Sequence, residues 1–334
     1  MRRKPPLDEA EIDALLAPLQ GLRAVLIAVS GGPDSTALLA MAAKWAQRAK
    51  APPNIAAATV DHGLRAESAG EAEAVGALCR QLGVPHRILV WNGPKPQARL
   101  QELAREARYR LLAQCAREIG AEAIVTAHHL DDQAETALFR LLRGSGVGGL
   151  KAMAENSDLG GLALLRPLLG VGKRDLVAYC EANGLDYARD ASNHDPRFAR
   201  TRLRPLVDRL AEEGLDAASL ARLARRARQV EDALIRQTEA GEARLHLTTE
   251  GNCDAQTLFQ EPIEIVQRLL TAAIARVGGK DASRIGLEKI EAMTQALARA
   301  VAEGAPFSRN VAGARVRLAR GVLKVEIEPP RRAS

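Results

Sequence analysis

The chain is predicted to have an α/β fold, a parallel sheet with helices on both faces, followed by a smaller, mainly helical domain that ends in a short β-hairpin. Three observations predict it. Apolar runs alternate with segments of helical periodicity up to about residue 205, helical periodicity continues alone after that, and the tail alternates apolar and charged residues around a glycine. A length of 334 residues fits two domains, which we place at 1–205 and 206–334.

The strands of the first domain are predicted from short apolar runs bounded by turn residues. These runs lie at residues 24–29, 55–60, 87–91, 122–127 and 162–165. The segments between them have helical spacing; Leu100, Leu103, Ala107 and Leu111 line one face of the third helix. Because ligands bind beyond the carboxyl ends of the strands in such sheets, we expect the chemistry in the segments that directly follow these runs.

Composition limits the class of protein. Hydrophobic residues make up 47% of the chain and charged residues 26%, which excludes a largely disordered chain. The formal net charge of +6 permits a polyanionic partner, whereas 3% aromatic residues argue against generic stacking on single strands. Without a charged-then-apolar leader or an apolar stretch of membrane length, we expect a cytoplasmic protein with no membrane partner.

The four cysteines are far apart in the sequence and form no Cys-x-x-Cys pair. They are Cys79, Cys115, Cys180 and Cys253. This spacing predicts neither a zinc site nor a disulfide framework, and we expect small buried thiols.

The segment after the first strand is a glycine-containing turn, Ser30-Gly31-Gly32-Pro33-Asp34-Ser35, that leads into a helix. Such a turn directs backbone N–H groups and the positive end of a helix at one point, which suits a phosphate. No Gly-Lys-Ser/Thr follows and the G-x-G-x-x-G spacing is missing, so the turn is neither a Walker loop nor a dinucleotide loop. The plainer interpretation is an ordinary tight turn with a Ser/Asp cap.

The segment after the fourth strand gathers titratable side chains at the start of a helix predicted near Leu130. It contains His128, His129, Asp131, Asp132 and Glu135. Asp132 and Glu135 are three residues apart and project from one helix face. The cluster suits Mg²⁺ on ATP phosphates, the ammonium of an amine substrate, or a general base. The alternative is stabilisation of the helix N-terminus by acidic residues, and adjacent histidines do not suit zinc.

Two arginine-rich segments complete the set. Arg105, Arg108 and Arg110 lie on the third helix, and Asp190–Arg204 combines four arginines with Asp, Ser and Asn. Arginines matched to phosphates explain the second segment better than a linker does. A solvated basic face is the alternative for the first segment, and also for Arg222, Arg225, Arg226 and Arg228 on the following helix.

The Ser-Gly-Gly-x-Asp-Ser loop resembles the PP-loop of the N-type ATP pyrophosphatases, enzymes that cleave ATP to AMP and pyrophosphate. Over residues 22–205 the motifs together resemble the tRNA(Ile)-lysidine synthases. The segments that carry this resemblance are Ser30–Ser35, Val60–Arg65, Ala104–Tyr109, Thr126–Thr136, Leu142–Leu150, Arg166–Leu169 and Asp190–Arg204. One difference is Thr201 after Arg200, where that family usually has Asn, and it leaves the role of that side chain open.

The resemblance implies a Rossmann-like PP-loop ATPase domain and a ligase that forms a carbon–nitrogen bond. ATP and Mg²⁺ would serve to adenylate the C2 position of the wobble cytidine in the isoleucine tRNA with a CAU anticodon. Free L-lysine would then displace AMP to form lysidine. Homodimers occur in the family, and some members carry a further C-terminal domain that binds the tRNA acceptor end; with the sequence ending at Ser334, we expect no such domain here.

The resemblance also assigns roles by motif position. Asp132 and Glu135 would hold and deprotonate lysine, and His128 would steady the phosphates or the developing charge. Arg108 and Arg200 would contact the adenylated intermediate or its phosphates. The residues assigned to the ATP phosphates are Ser30, Gly31, Gly32, Pro33, Asp34 and Ser35. Which carboxylate serves Mg²⁺ and which serves lysine stays open, as does the discrimination between isoleucine and methionine tRNAs.

Three other functions are weaker alternatives. A PP-loop enzyme that thiolates a tRNA base would use Cys-x-x-Cys motifs, which this sequence lacks. An amidating ligase of small molecules would need an ammonia source, and no glutaminase segment is recognisable. A non-catalytic nucleotide-binding module would leave the cluster around Asp132 and Glu135 unexplained.

Overall fold

The computed structural model describes residues 7–63, 68–93, 100–188, 199–282 and 285–329, without the side chains of residues 199–202 and 204. The chain forms two compact units. The first comprises residues 1–145 and 149–225, and the second comprises 146–148 and 226–334. The domain boundary predicted after residue 205 falls inside the helix Ala199–Glu212, and the units divide between Arg225 and Arg226.

The first unit alternates strands and helices along the chain. Its strands are β1 (Ala24–Ala28), β2 (Asn54–Asp61), β3 (His86–Val90), β4 (Ala123–Val125), β5 (Asn156–Asp158) and β6 (Ala163–Leu165). Its helices are α1 (Glu9–Leu16), α2 (Pro33–Arg48), α3 (Ser68–Gln81), α4 (Leu100–Glu118), α5 (Leu130–Leu142), α7 (Lys173–Ala182) and α8 (Ala199–Glu212), with a 3₁₀ turn at Ala17–Leu19. The short helix α6 (Val147–Leu150) spans the junction of the two units.

These strands form one six-stranded sheet in the order β3-β2-β1-β4-β6-β5. Neighbouring strands are parallel except for β5, which pairs antiparallel with β6. The five predicted strands and the parallel sheet are confirmed. The edge strand β5 was not predicted, because Asn-Ser-Asp carries no apolar run; the buried Arg166 supports it by donating to the carbonyl of Ala154 and the hydroxyl of Ser157.

The core explains why β1 reads as a continuous apolar run. Val25 and Ile27 face a cluster formed with α2 and α7, whereas Leu26 faces the opposite cluster with α4. All three are completely buried, since helices cover both faces of the sheet. The prediction of small buried thiols is confirmed, since all four cysteines are free and buried. Burial raises the pKa of Cys79 and Cys180 to about 11.

The strand order reverses between β1 and β4. From β1 the chain continues to β2 and β3 on one side of the sheet, and β4 and β6 lie on the other side. The segments that follow β1 and β4 therefore meet at the carboxyl edge, in the position where open α/β sheets bind ligands.

The second unit packs helices against an antiparallel sheet. Its elements are α9 (Ala217–Leu245), which begins in the first unit, α10 (Leu247–Glu250), β7 (Asn252–Asp254), α11 (Ala255–Leu258), α12 (Ile263–Gly278), α13 (Leu287–Glu303), β8 (Phe307–Val311), β9 (Ala314–Ala319) and β10 (Val322–Ile327). The predicted hairpin is confirmed as β9 and β10. It forms the centre of a four-stranded sheet, β7-β10-β9-β8, whose two outer strands were not predicted. Leu269 of α12 and Met293 of α13 are completely buried in the core that these helices share with the sheet.

Candidate active site

The loop between β1 and α2 is closed by its own side chains. Gly32 caps α2 and Pro33 occupies the first helical position, where a missing N–H costs nothing. The hydroxyl of Ser35 accepts from the Ser30 N–H at 3.1 Å and donates to the Gly32 carbonyl at 3.1 Å. Ser35 is buried, so this side chain stabilises the turn from within.

Gly31 gives the loop its shape. Its φ is +85°, a conformation that L side chains rarely adopt, and an added Cβ would lie 3.3 Å from Val75 Cγ2. The Gly31 carbonyl accepts from the N–H of Ala188 at 2.8 Å. This bond places the chain beside the loop directly before the arginine-rich segment, of which residues 190–198 lie outside the described part of the chain.

The helix predicted near Leu130 begins at that residue. The Leu130 N–H donates to the Val171 carbonyl at 2.9 Å, and Asp132 Oδ2 accepts from the His129 N–H at 3.1 Å. Asp132 therefore stabilises the helix N-terminus, as the plainer interpretation of the cluster expected. Its carboxylate also contacts the His129 ring, on the side of the loop between β1 and α2.

His129 joins the loop to α5. Its Nε2 lies 3.5 Å from Asp34 Oδ2 and 3.5 Å from Asp132 Oδ2. On the other side of the ring, Nδ1 lies 3.5 Å from Asp131 Oδ2, and that oxygen accepts from the Lys173 N–H at 2.9 Å. His129 is only 5% exposed. One buried ring thus contacts three carboxylates from two elements.

The carboxylates decide the charge of this ring. Burial alone would lower the pKa of His129, but the contacts with the carboxylates of Asp131, Asp34 and Asp132 raise it to about 10. The contact with His129 lowers the pKa of Asp131 to about 2 against the effect of burial, with help from the Lys173 N–H. The centre is therefore a cation among anions at neutral pH. Asp34 Oδ1 is buried and has no hydrogen-bond partner among the described residues.

His128 lies at the carboxyl edge between β4 and α5. Its Nδ1 is 2.9 Å from the hydroxyl of Thr126, and the residue is half-buried. It is thus held in a fixed orientation next to the predicted phosphate site, and its role there stays a prediction.

Glu135 is buried one turn along α5 from Asp132. Next to it, Ala134 and Leu138 pack against Leu203 of α8 and Leu220 of α9. Arg200 is the second residue of α8, the helix that packs against α5. Its side chain is outside the described part of the chain.

Arg108 lies on α4 near the ends of β2 and β3. Its Nε and Nη2 lie 3.4 and 3.3 Å from His62 Nε2, and the His62 ring meets Trp91 edge-on at 6.0 Å. Asp61 Oδ1 fixes the turn that carries His62 by accepting from the Gly63 N–H at 2.8 Å. Arg108 is therefore oriented at the carboxyl edge.

The structure brings the predicted residues Asp34 and Asp132 together, and it adds two that sequence reasoning did not assign. His129 and Asp131 stood inside the recognised cluster, and the available signal was their position at the start of the helix. Among the described residues, no group of three or more His, Cys, Asp or Glu side chains is arranged to hold a metal ion.

Comparison with known proteins identifies a matching family model and several similar proteins. Residues 6–210 match the family model described as a PP-loop domain. The chain is 48% identical to the tRNA(Ile)-lysidine synthase of Methylobacterium nodulans, with 98% of each chain covered. It is 44% identical to that of Bradyrhizobium sp., with 98% of this chain and 96% of the relative covered.

Among solved structures, the chain is similar in fold to the U34-tRNA thiolase NcsA of Methanococcus maripaludis, solved with its [4Fe-4S] cluster. The TM-score is 0.55 at 16% identity, with 65% of this chain and 76% of that chain covered. At this identity the likeness concerns the fold alone.

Proposed function

The chain belongs to the tRNA(Ile)-lysidine synthase family, and from this premise we propose that it joins free L-lysine to the wobble cytidine of the isoleucine tRNA with a CAU anticodon. The enzyme is an ATP-dependent ligase that forms a carbon–nitrogen bond and releases AMP and pyrophosphate. The observation that carries the proposal is 48% identity over 98% of both chains, which covers the second unit as well as the PP-loop unit.

The first step adenylates the base. The C2 oxygen of the cytidine forms a bond to the α-phosphorus of ATP, and the bond from that phosphorus to the bridging oxygen breaks as pyrophosphate leaves. The backbone N–H groups of Ser30–Ser35 and the N-terminus of α2 hold the phosphates and offset their growing charge. Mg²⁺ enters with ATP as part of the substrate.

The second step transfers lysine. An amine of lysine attacks C2, and the bond between C2 and the AMP oxygen breaks. The ammonium group must lose a proton before it can attack, and the carboxylates of Asp132 and Glu135 on α5 bind it and accept that proton.

The arginines bind the phosphate of the adenylated intermediate. Arg108 has a planar guanidinium oriented by His62, which suits two-point contact with phosphate oxygens. Arg200 belongs to the first turn of α8, a helix that packs along α5, and we assign it to the same phosphate. His128, fixed by Thr126, donates to the phosphates at the same edge.

Incorporation of labelled lysine tests the proposal. Purified enzyme is incubated with ATP, Mg²⁺ and a transcript of isoleucine tRNA with a CAU anticodon, and methionine tRNA serves as the control. We expect label in the isoleucine tRNA alone. If pyrophosphate is released only when tRNA is present but no label enters the tRNA, the adenylation step would stand and lysine would be rejected as the nucleophile. If folded protein binds ATP but gives neither label nor pyrophosphate, the protein would be a non-catalytic nucleotide-binding module.

The cellular location and the oligomeric state are the last parts of the proposal. No helix in the described part of the chain is long and apolar enough to cross a membrane. We propose that the enzyme works in the cytoplasm, where the tRNA is, and that it forms a homodimer, which light scattering of the purified protein would test.

A further inference from the structure

We propose that His129 is a positioning residue that couples the two half-reactions by holding the carboxylates of Asp34 and Asp132 at one ring nitrogen. This inference rests on the proposed function, in which Asp34 serves ATP and Asp132 serves lysine. His129 itself touches neither substrate.

The first argument is the shared contact. Asp34 belongs to the first turn of α2 and Asp132 to the first turn of α5, and both carboxylates approach Nε2 of the same ring to 3.5 Å. Two carboxylates that face one point repel each other unless a donor or a cation lies between them. His129 is the group at that point, and at 5% exposure it is shielded from water.

The second argument is that the ring is oriented from behind. Asp131 faces the opposite nitrogen, Nδ1, at 3.5 Å, and the first N–H of α7, at Lys173, fixes Asp131 at 2.9 Å. With a carboxylate within ion-pair distance of each nitrogen, the ring has one favourable orientation. The chain of contacts from Lys173 through Asp131 to His129 therefore sets where Asp34 and Asp132 can lie.

The third argument is the contrast with the neighbouring histidine. His128 is half-buried, and its Nδ1 contacts the Thr126 hydroxyl. His129 is turned into the protein and contacts carboxylates of both half-sites. Because small displacements of reacting groups cost large factors in rate, a ring that fixes two such groups affects catalysis without contacting substrate.

Three substitutions of His129 separate positioning from packing. His129→Gln keeps an N–H donor at about the reach of Nε2, His129→Asn keeps one only at about the reach of Nδ1, and His129→Leu has similar bulk and no donor. We expect His129→Gln to stay within about tenfold of the wild type in pyrophosphate release and lysine transfer. We expect the rates of the Asn and Leu variants to fall by about 10- to 100-fold, the range for removal of one interaction with a charged group.

The matched control is His86→Gln. His86 is a partly buried histidine on β3 of the same unit. Its Nε2 lies 2.9 Å from the hydroxyl of Thr59 on β2. We expect its substitution to leave kcat and the KM for lysine unchanged. All rates are measured well below the melting temperature of every variant, so that the folded fraction does not enter.

Two outcomes would overturn the inference: wild-type kinetics in His129→Leu, or equal losses in all three variants that follow their melting temperatures. If the wild type itself fails to transfer lysine, the proposed function fails, and the positioning role is then decided by binding. Calorimetry with a non-hydrolysable ATP analogue should show a Kd about tenfold weaker for His129→Leu than for His129→Gln. Equal Kd values would reject the role of His129 at the loop.

Discussion

At the scale of single residues, part of the recognised loop motif acts on the loop itself. Ser35 bonds to the Ser30 N–H and the Gly32 carbonyl, and its side chain is buried. In the proposed phosphate site, we therefore expect Ser35 to act through the shape of the turn, which presents the backbone N–H groups. Gly31 contributes in the same way, through a backbone conformation.

Replacing Gly31 by Ala should lower the free energy of unfolding by about 1–2 kcal/mol. The new Cβ would be forced into a positive φ and would lie 3.3 Å from Val75 Cγ2. Denaturant unfolding measures the change. Gly170→Ala is the control, since an added Cβ there meets nothing within 4 Å among the described residues. Equal free energies of unfolding for the two variants would show that the loop does not need glycine at position 31.

The charge of His129 predicts a pH dependence of stability. The pKa of His129 is raised from 6.5 to about 10 in the folded protein by Asp34 of α2 and by Asp131 and Asp132 of α5. Its contribution is fully present below pH 6.5 and is lost as the pH rises towards 10, because the unfolded chain releases the proton first. The wild type should therefore lose its stability advantage over His129→Gln across this window, by at most about 1.4 kcal/mol per pH unit. A difference that stays constant from pH 6 to 10 would mean that the ring does not stay charged.

Asp34 and Glu135 should separate the two half-reactions. Asp34→Asn removes the charge beside the phosphate loop and should abolish pyrophosphate release that depends on tRNA. Glu135→Gln should spare adenylation and lower lysine transfer, with a higher KM for lysine, because the ammonium loses an anionic partner. Rapid-quench assays of pyrophosphate and of labelled tRNA measure both steps. Unchanged lysine transfer in Glu135→Gln would remove that residue from the lysine site.

At the scale of elements, the sequence predicted what apolar patterning encodes. The runs at β1, β2, β3, β4 and β6 correspond to the parallel strands, and the candidate site residues belong to segments that follow them. The strands β5, β7 and β8 are short or lack regular alternation, so partners distant in the sequence define them. The same limit applies to the site. The motif contains His129 and Asp34, but their contact depends on how two loops meet at the sheet edge.

One element contact is testable by itself. Gln133 of α5 donates to the Met153 carbonyl at 2.8 Å and accepts from the Met153 N–H at 2.8 Å, which holds the segment that leads to β5. Gln133→Ala should reduce the free energy of unfolding by about 1–3 kcal/mol, since it removes two partly buried hydrogen bonds. Gln114→Ala, which removes an exposed bond to Glu118, should change it by less than about 0.5 kcal/mol. A similar small change in both variants would show that β5 is held by other contacts.

At the scale of the whole molecule, part of the positive charge is concentrated on one helix, α9. The net charge is +6, and the exposed arginines Arg222, Arg225 and Arg226 follow one another on α9, where the two compact units divide. A solvated face would explain these residues in any protein. For an enzyme that acts on tRNA, they also fit contacts to the phosphate backbone.

Charge reversal on α9 distinguishes these explanations. Arg225→Glu and Arg226→Glu should each weaken tRNA binding and reduce the slope of log K against log salt by about 0.7–0.9 for every phosphate that the helix no longer neutralises. Lys50→Glu is the matched control, since Lys50 is exposed beyond the end of α2, at the opposite edge of the sheet from the site. Filter binding over a salt series measures the affinity and the slope. If the α9 variants and the control shift both by the same amount, the arginines affect tRNA only through net charge; a change of slope confined to α9 places the tRNA backbone on this helix.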